Sequence, residues 1–298
     1  MESCRFRTED EKIAATVEDV RRLRAAYAAK STRGTRMKIE REGRMEVDVI
    51  CYRPAAGSEG KLPVLFNMHG GAWMAGDAVL MESFCQLMAD ELPAMVVNVN
   101  YHKADIISIP EMVEEVADCV KYFYRHGEEY RIDTGRMILG GHSAGANLAA
   151  GAALKLKEDG ISLCAQMLVY PSTDLSLQGD AADDEIASLI RLICPDGENL
   201  NYHVSQMLAT DKELQGLCTA LFVICGHDML KSQGLAYAKR LLDNAVPVKV
   251  KEYPDAQHGF LEVCRPDYDV EDERNTQEQD RYARDCEQWL IRELRACL

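Results

Sequence analysis

The chain predicts an α/β protein, with a mostly parallel central sheet covered by helices on both faces. Three observations carry this. Apolar runs alternate with stretches of helical periodicity, as repeated strand–helix units require. Runs such as Pro63-Val64-Leu65-Phe66-Asn67-Met68 and Leu221-Phe222-Val223-Ile224-Cys225 are continuous rather than alternating, which marks strands buried on both sides. The length of 298 residues, 47% of them hydrophobic, suits one large domain, 1–298.

The elements follow in order. Residues 9–30 carry apolar positions at helical spacing, from Ile13 and Val17 through Leu23 and Tyr27. Met37–Glu40 and Met45–Tyr52 alternate with period two around Glu42-Gly43, which predicts an antiparallel hairpin. Strands are then expected at 63–68, 94–99, 136–140, 165–170, 220–225 and 248–253. Helices are expected at 79–91, 110–126, 145–158, 232–244 and 275–295. Leu175 to Leu217 breaks the rhythm, with helical patterns but no strand, and is too long for a plain loop. It reads as a helical lid over the C-terminal strand ends, with Leu189, Ile190, Leu192 and Ile193 as its apolar surface. The cap is therefore expected to consist of about 1–35 and 175–217.

Composition removes several classes. No stretch of 18 apolar residues is present, so no membrane span is expected. Met1 to Asp10 lacks the apolar segment of a signal peptide. A net charge of −15 argues against nucleic acid and anionic membrane surfaces as partners. The eleven cysteines, at 4, 51, 85, 119, 164, 194, 218, 225, 264, 286 and 297, form no Cys-x-x-Cys and lie partly inside apolar runs. They read as reduced, mostly buried side chains of a cytoplasmic protein. No Cys/His cluster has the ligand spacing of a zinc site.

The chemistry concentrates at Gly141-His142-Ser143-Ala144-Gly145, between the run Met137–Gly140 and a helical stretch. A Gly-x-Ser-x-Gly on a strand-to-helix turn lifts a serine hydroxyl clear of the sheet, where it can act as a nucleophile. Such a serine needs a base, an acid that orients the base, and donors for a developing oxyanion. In open α/β sheets all of these belong just past strand C-termini. His258, on a loop after the last strand, fits the Ser…Asp…His order as base. Asp228, at the end of the 220–225 strand, is favoured as the acid over Asp174, while Asp255 lies too close to His258 in sequence. His69-Gly70-Gly71-Ala72-Trp73 follows the 63–68 strand and supplies N–H groups of Gly71 and Ala72, partnered by the N–H of Ala144. His69 is expected to be structural, and the ring of His142 to point away from the serine's base.

These motifs resemble the hormone-sensitive-lipase-like serine esterases of the α/β-hydrolase fold. The matching residues are His69-Gly70-Gly71-Ala72-Trp73, Gly141-His142-Ser143-Ala144-Gly145-Ala146-Asn147-Leu148-Ala149, Tyr170-Pro171, His227-Asp228-Met229-Leu230 with Gly234–Ala238, and His258-Gly259-Phe260. They cover about residues 60 to 262, and the N-terminal helix resembles the first part of that family's cap. The chain departs from the family pattern at Ala72 (usually glycine), His142 (usually an acid), Ala146 (usually glycine) and Met229 (usually proline). Tyr101-His102-Lys103-Ala104-Asp105 also replaces the usual Tyr-Arg-Leu-Ala-Pro-Glu. There is similarity, too, to kynurenine-formamidase-type hydrolases and some carbohydrate deacetylases. Plant gibberellin receptors resemble the family but lack the catalytic histidine, which is present here as His258.

The resemblance implies a serine carboxylic-ester hydrolase acting on small or short-acyl esters through an acyl-enzyme. Ser143, Asp228 and His258 would be catalytic, and Gly71, Ala72 and Ala144 would form the oxyanion hole. Arylformamidase or sugar deacetylase activity is the alternative chemistry, and a non-catalytic small-ligand receptor the alternative class. No metal or organic cofactor is called for. The expected partner is a small ester substrate, with a homodimer left open.

Overall fold

The computed structural model describes residues 5–6, 11–177, 184–268 and 270–298. Eight strands form one sheet: β1 (Thr35–Ile39), β2 (Val47–Tyr52), β3 (Leu62–Met68), β4 (Met95–Asn100), β5 (Ile132–His142), β6 (Ala165–Val169), β7 (Thr219–His227) and β8 (Val248–Gln257). Their order is β1-β2-β4-β3-β5-β6-β7-β8. β1 and β2 pair antiparallel, as the hairpin pattern predicts, and β2 joins β4 antiparallel. Every other neighbouring pair is parallel.

The helices are α1 (Glu11–Ala28), α2 (Glu82–Glu91), α3 (Ile109–Arg125), α4 (Ala144–Glu158), α5 (Asp184–Ile193), α6 (Asp211–Leu214), α7 (Lys231–Asp243), α8 (Phe260–Val263) and α9 (Gln277–Arg295). Side chains alternate along the strands between two cores. Val64, Phe66 and Met68 pack with α3, α4 and α7 on one face. Leu65 packs with α2 and α9 on the other. Both faces of the inner strands are covered, which is why these strands read as continuous apolar runs, while the edge strands β1 and β8 are polar and partly exposed.

The strand order positions the site. The chain crosses from β3 to β4 on one side, then returns past β3 to β5 on the other. This reversal places the ends of β3 and β5 side by side, at the switch point where open α/β sheets bind ligands. β3 delivers His69 and its glycines, and β5 delivers Ser143.

The described part of 175–217 packs against α4 and α7. Asn147 Nδ2 donates to Val204 O at 2.7 Å and to Ser172 O at 2.8 Å, and Gln206 Nε2 returns a bond to Asn147 O at 3.2 Å. Lys157 Nζ donates to the carbonyls of Lys212 and Glu213. α5 buries Ile190 and Ile193 in the core, where Arg5 reaches the Ile193 carbonyl. Residues 178–183 lie outside the described residues, as do 1–4 and 7–10.

α1 is fastened to the body through Asp105, whose side chain is wholly buried. Arg24 donates two bonds to it, at 2.7 and 2.8 Å, and Arg21 Nε a third at 2.7 Å. Burial alone would raise this carboxyl. The two guanidinium groups outweigh it and hold Asp105 below the usual carboxylate range.

Candidate active site

The site begins with backbone geometry at the end of β5. Ser143 has φ 53° and ψ −117°, a strained combination for a residue bearing a side chain. The turn exists because α4 starts directly against β3. A Cβ on Gly145 would stand 2.3 Å from Met68 O and 2.4 Å from His69 O, so only glycine lets the helix approach this closely. The same approach brings the oxyanion loop beside the serine. Gly71, Ala72 and Trp73 have φ of 123°, 50° and 58° in succession, which reverses the chain sharply. Among the described residues, none accepts a hydrogen bond from the backbone N–H of Gly71, Ala72 or Ala144.

The three candidate catalytic side chains meet in one line. His258 Nε2 lies 2.8 Å from Ser143 Oγ, and His258 Nδ1 lies 2.7 Å from Asp228 Oδ2. The Asp228 side chain is 1% exposed and its second oxygen accepts Leu230 N–H at 2.9 Å, so its direction is locked. Asp174 points elsewhere: its Oδ1 accepts the N–H and hydroxyl of Ser176 in a local turn. His227 instead faces Asp255 across 3.8 Å at the surface. Arg274 donates to His258 O at 2.7 Å and pairs with Asp272, bracing the histidine loop from behind.

His69 is held within its own loop. Its Nδ1 lies 2.6 Å from Gly70 O, its ring stacks on Tyr101 at 4.5 Å, and Tyr101 OH donates to His69 O at 2.9 Å. Burial, reinforced by the nearby charge of Lys103, pushes its imidazole well below the usual value. Lys103 is itself buried, with Nζ on Tyr101 O, and burial pulls it down to about 7.

A cavity of about 530 Å³ opens over Ser143 and His258. Its apolar wall comes from Val20, Leu23 and Tyr27 of α1, with Leu80, Met81 and Val263. Among the described residues of 175–217, none lines it. Glu262 and Tyr170 border it as well, and sequence reasoning gave neither of them a role. The available signal was the basic His142 at a position where a family pattern puts an acid, which calls for a new carboxylate partner nearby.

Among the described residues, no group of three His, Cys, Asp or Glu is arranged to hold a metal ion. No helix among them is long and apolar enough to cross a membrane. The ten described cysteines are unpaired. Six of them are buried, and Cys164, Cys218, Cys264 and Cys297 are partly so.

The chain matches a family model described as alpha/beta hydrolase fold over residues 65–262. It is 28% identical over 236 residues to the carboxylic ester hydrolase LipN of Mycobacterium tuberculosis, a match covering 73% of this chain and 62% of LipN. The arylesterase of Saccharolobus solfataricus is 26% identical over 237 residues, covering 76% of each chain. The chain spans less than two thirds of LipN and, at 65%, of the protein R526 of Acanthamoeba polyphaga mimivirus. Among solved structures, a thermostable esterase from Pseudomonas putida superposes with a TM-score of 0.81 at 24% identity, covering 95% of this chain and 90% of the other. A hyperthermophilic esterase from Pyrobaculum calidifontis does so with 0.77 at 23% identity, covering 97% and 94%. At these identities the structures speak for the fold, and the family model, which covers two thirds of the chain, speaks for descent: this protein belongs to the α/β-hydrolase family.

Proposed function

We propose that the protein is a serine carboxylic-ester hydrolase acting on small or short-acyl esters. The observation that carries this reading is the continuous contact Ser143 Oγ–His258–Asp228, at 2.8 and 2.7 Å. His258 takes the hydroxyl proton as Ser143 Oγ bonds to the acyl carbon. The carbonyl oxygen gains negative charge and accepts hydrogen bonds from Gly71, Ala72 and Ala144 N–H. Collapse of this intermediate expels the alcohol, which takes the proton from His258 and leaves an acyl-serine. Water then repeats the sequence, with His258 as base, and releases the acid. Asp228 holds the imidazole in the tautomer that presents a bare Nε2 to the serine.

Relatives named as ester hydrolases and arylesterase support the ester class. The cavity of about 530 Å³ supports small substrates, with α1 as the cap element beside the nucleophile. The intact histidine speaks against a non-catalytic receptor. A panel of nitrophenyl esters of increasing acyl length, with acetylated sugars and N-formylkynurenine beside them, tests the reading. Turnover should be highest for the nitrophenyl esters of about two to eight acyl carbons, since each further buried CH₂ gains only about 0.8 kcal/mol until the pocket is full. Turnover confined to the formamide or the sugar acetates would overturn the ester class.

A further inference from the structure

A second buried acid sits beside the candidate nucleophile. Glu262, on α8, borders the cavity, and its Oε2 accepts the phenol hydrogen of Tyr170. Its Oε1 lies 3.0 Å from Nδ1 of His142, the residue immediately before Ser143. Among the described residues, no hydrogen-bond partner is in line with either ring nitrogen of the wholly buried His142 or with Glu262 Oε1. The two groups make a close polar contact, in an interior where unpaired polar groups are costly. Phe84 and Tyr170 pack against the His142 ring at 4.8 and 6.2 Å, and Tyr170 also packs against the His258 ring at 4.9 Å.

One carboxylate thus touches the elbow through His142, the end of β6 through Tyr170, and the His258 segment through its own helix. It also borders the oxyanion loop: a Cβ on Gly70 would lie 3.8 Å from Glu262 Oε1 and 3.4 Å from Ser143 Cβ. The charged and titratable groups around it are His142, Tyr170, His258, Tyr268, Cys225, Cys286 and Arg274, whose guanidinium is held by Asp272. His258 in turn faces Asp228. Burial acts to raise the Glu262 carboxyl, but His142 and Tyr170 outweigh it and keep it below its ordinary value. It is an anion at neutral pH.

We propose that Glu262 is a positioning residue for His258: seated between His142 and Tyr170, it seats the histidine loop on the elbow and sets a second negative charge beside the imidazole. This rests on the reading of Ser143, His258 and Asp228 given above. As His258 accepts the serine proton it becomes cationic, and a fixed anion nearby favours that state more than the ground state.

The test compares Glu262→Gln, Glu262→Asp and Tyr170→Phe with wild type and Ser143→Ala. Glutamine keeps the size and the acceptor for Tyr170 but loses the charge. It should lower kcat about tenfold with KM nearly unchanged, the size of one unit of differential charge interaction. It should also move the acid limb of the kcat/KM profile to lower pH, because an imidazolium without its second anion releases its proton more readily. Aspartate should recover part of the loss, and Tyr170→Phe should cost less than glutamine does. A Glu262→Gln enzyme with wild-type kcat and pH profile, beside an inactive Ser143→Ala, would overturn this proposal alone. So would a loss confined to KM, which would make Glu262 a substrate contact. Turnover surviving in Ser143→Ala would bring down the catalytic reading and this proposal with it. If glutamine does not fold, the aspartate and Tyr170→Phe profiles decide: both unchanged from wild type would overturn the proposal.

Discussion

Gly145 faces the Met68 carbonyl so closely that a Cβ would stand 2.3 Å from the oxygen. The obstacle is backbone on β3, which cannot swing aside as a side chain can. Gly145→Ala should therefore push α4 away from β3 and separate the elbow from the oxyanion loop. The cost should be about 1–3 kcal/mol of stability, typical of overpacking in a close-packed interior. Activity should fall further than this implies, since a misplacement of about 1 Å at a reacting group can cost roughly 100-fold. Thermal unfolding and labelling by a fluorophosphonate probe measure the two effects separately.

Asp105→Asn should loosen α1. Replacing the carboxylate leaves Arg21 and Arg24 facing a neutral group, and breaking a buried ion pair costs about 3–5 kcal/mol. Hydrogen exchange should show α1 losing protection before the sheet does. Because Val20, Leu23 and Tyr27 wall the cavity, acyl-length preference should broaden as well. The pH sign follows from a folded pKa held below the unfolded one. The stabilisation is complete above the unfolded value of about 3.9 and is lost as pH falls through the lower folded value. The difference in stability between wild type and variant should shrink on strong acidification. A difference that stays constant down to the acid transition would contradict this.

Lys103 gives a pH dependence of the same sign for a different reason: in the folded state burial disfavours its charged form. Its folded value of about 7 lies below the unfolded value of about 10.4, so between these limits the unfolded chain binds the extra proton. Wild-type stability should therefore rise with pH in that window, by up to about 1.4 kcal/mol per unit. Lys103→Met should lack this rise and should be relatively more stable at pH 6 than at pH 9. Denaturant unfolding of both proteins at the two values checks it.

Much of this was legible in the sequence, for identifiable reasons. The inner parallel strands were visible because burial on both faces makes their centres apolar, as at 64–66 and 220–225. The meeting of Ser143, Asp228 and His258 was legible because each follows a strand, and strand ends converge on one edge of the sheet. The walls of the cavity were legible only in part: the N-terminal helix was expected in the cap, and it lines the cavity through Val20, Leu23 and Tyr27. Whether 175–217 rests over the mouth or along α4 depends on tertiary contacts such as Asn147 to Val204, which leave no periodicity. The role of α1 rests on an ion pair between residues 81 apart in sequence. Glu262 was hidden because a single glutamate on a four-residue helix reads as solvent-facing until the fold sets it against His142.

The choice of acid can be tested by exchange. Asp228→Asn should lower kcat by about 10⁴-fold with the fold intact, because the imidazole loses the partner that fixes its tautomer. Asp174→Asn should affect only the local turn at Ser176 and leave kcat within about twofold, as for a surface substitution away from the site. Steady-state kinetics on one nitrophenyl ester distinguishes them, and the reverse pattern would move the acid to Asp174.

The central claim is that Ser143 is the nucleophile. Intact-mass and peptide-level mass spectrometry after reaction with a fluorophosphonate, or after rapid quench with a slowly deacylating ester, tests it directly. The account predicts one adduct on Ser143 in wild type, no adduct and no turnover in Ser143→Ala, and a greatly slowed adduct in a His258→Ala protein that still folds. An adduct on another residue, or turnover undiminished in Ser143→Ala, would contradict it.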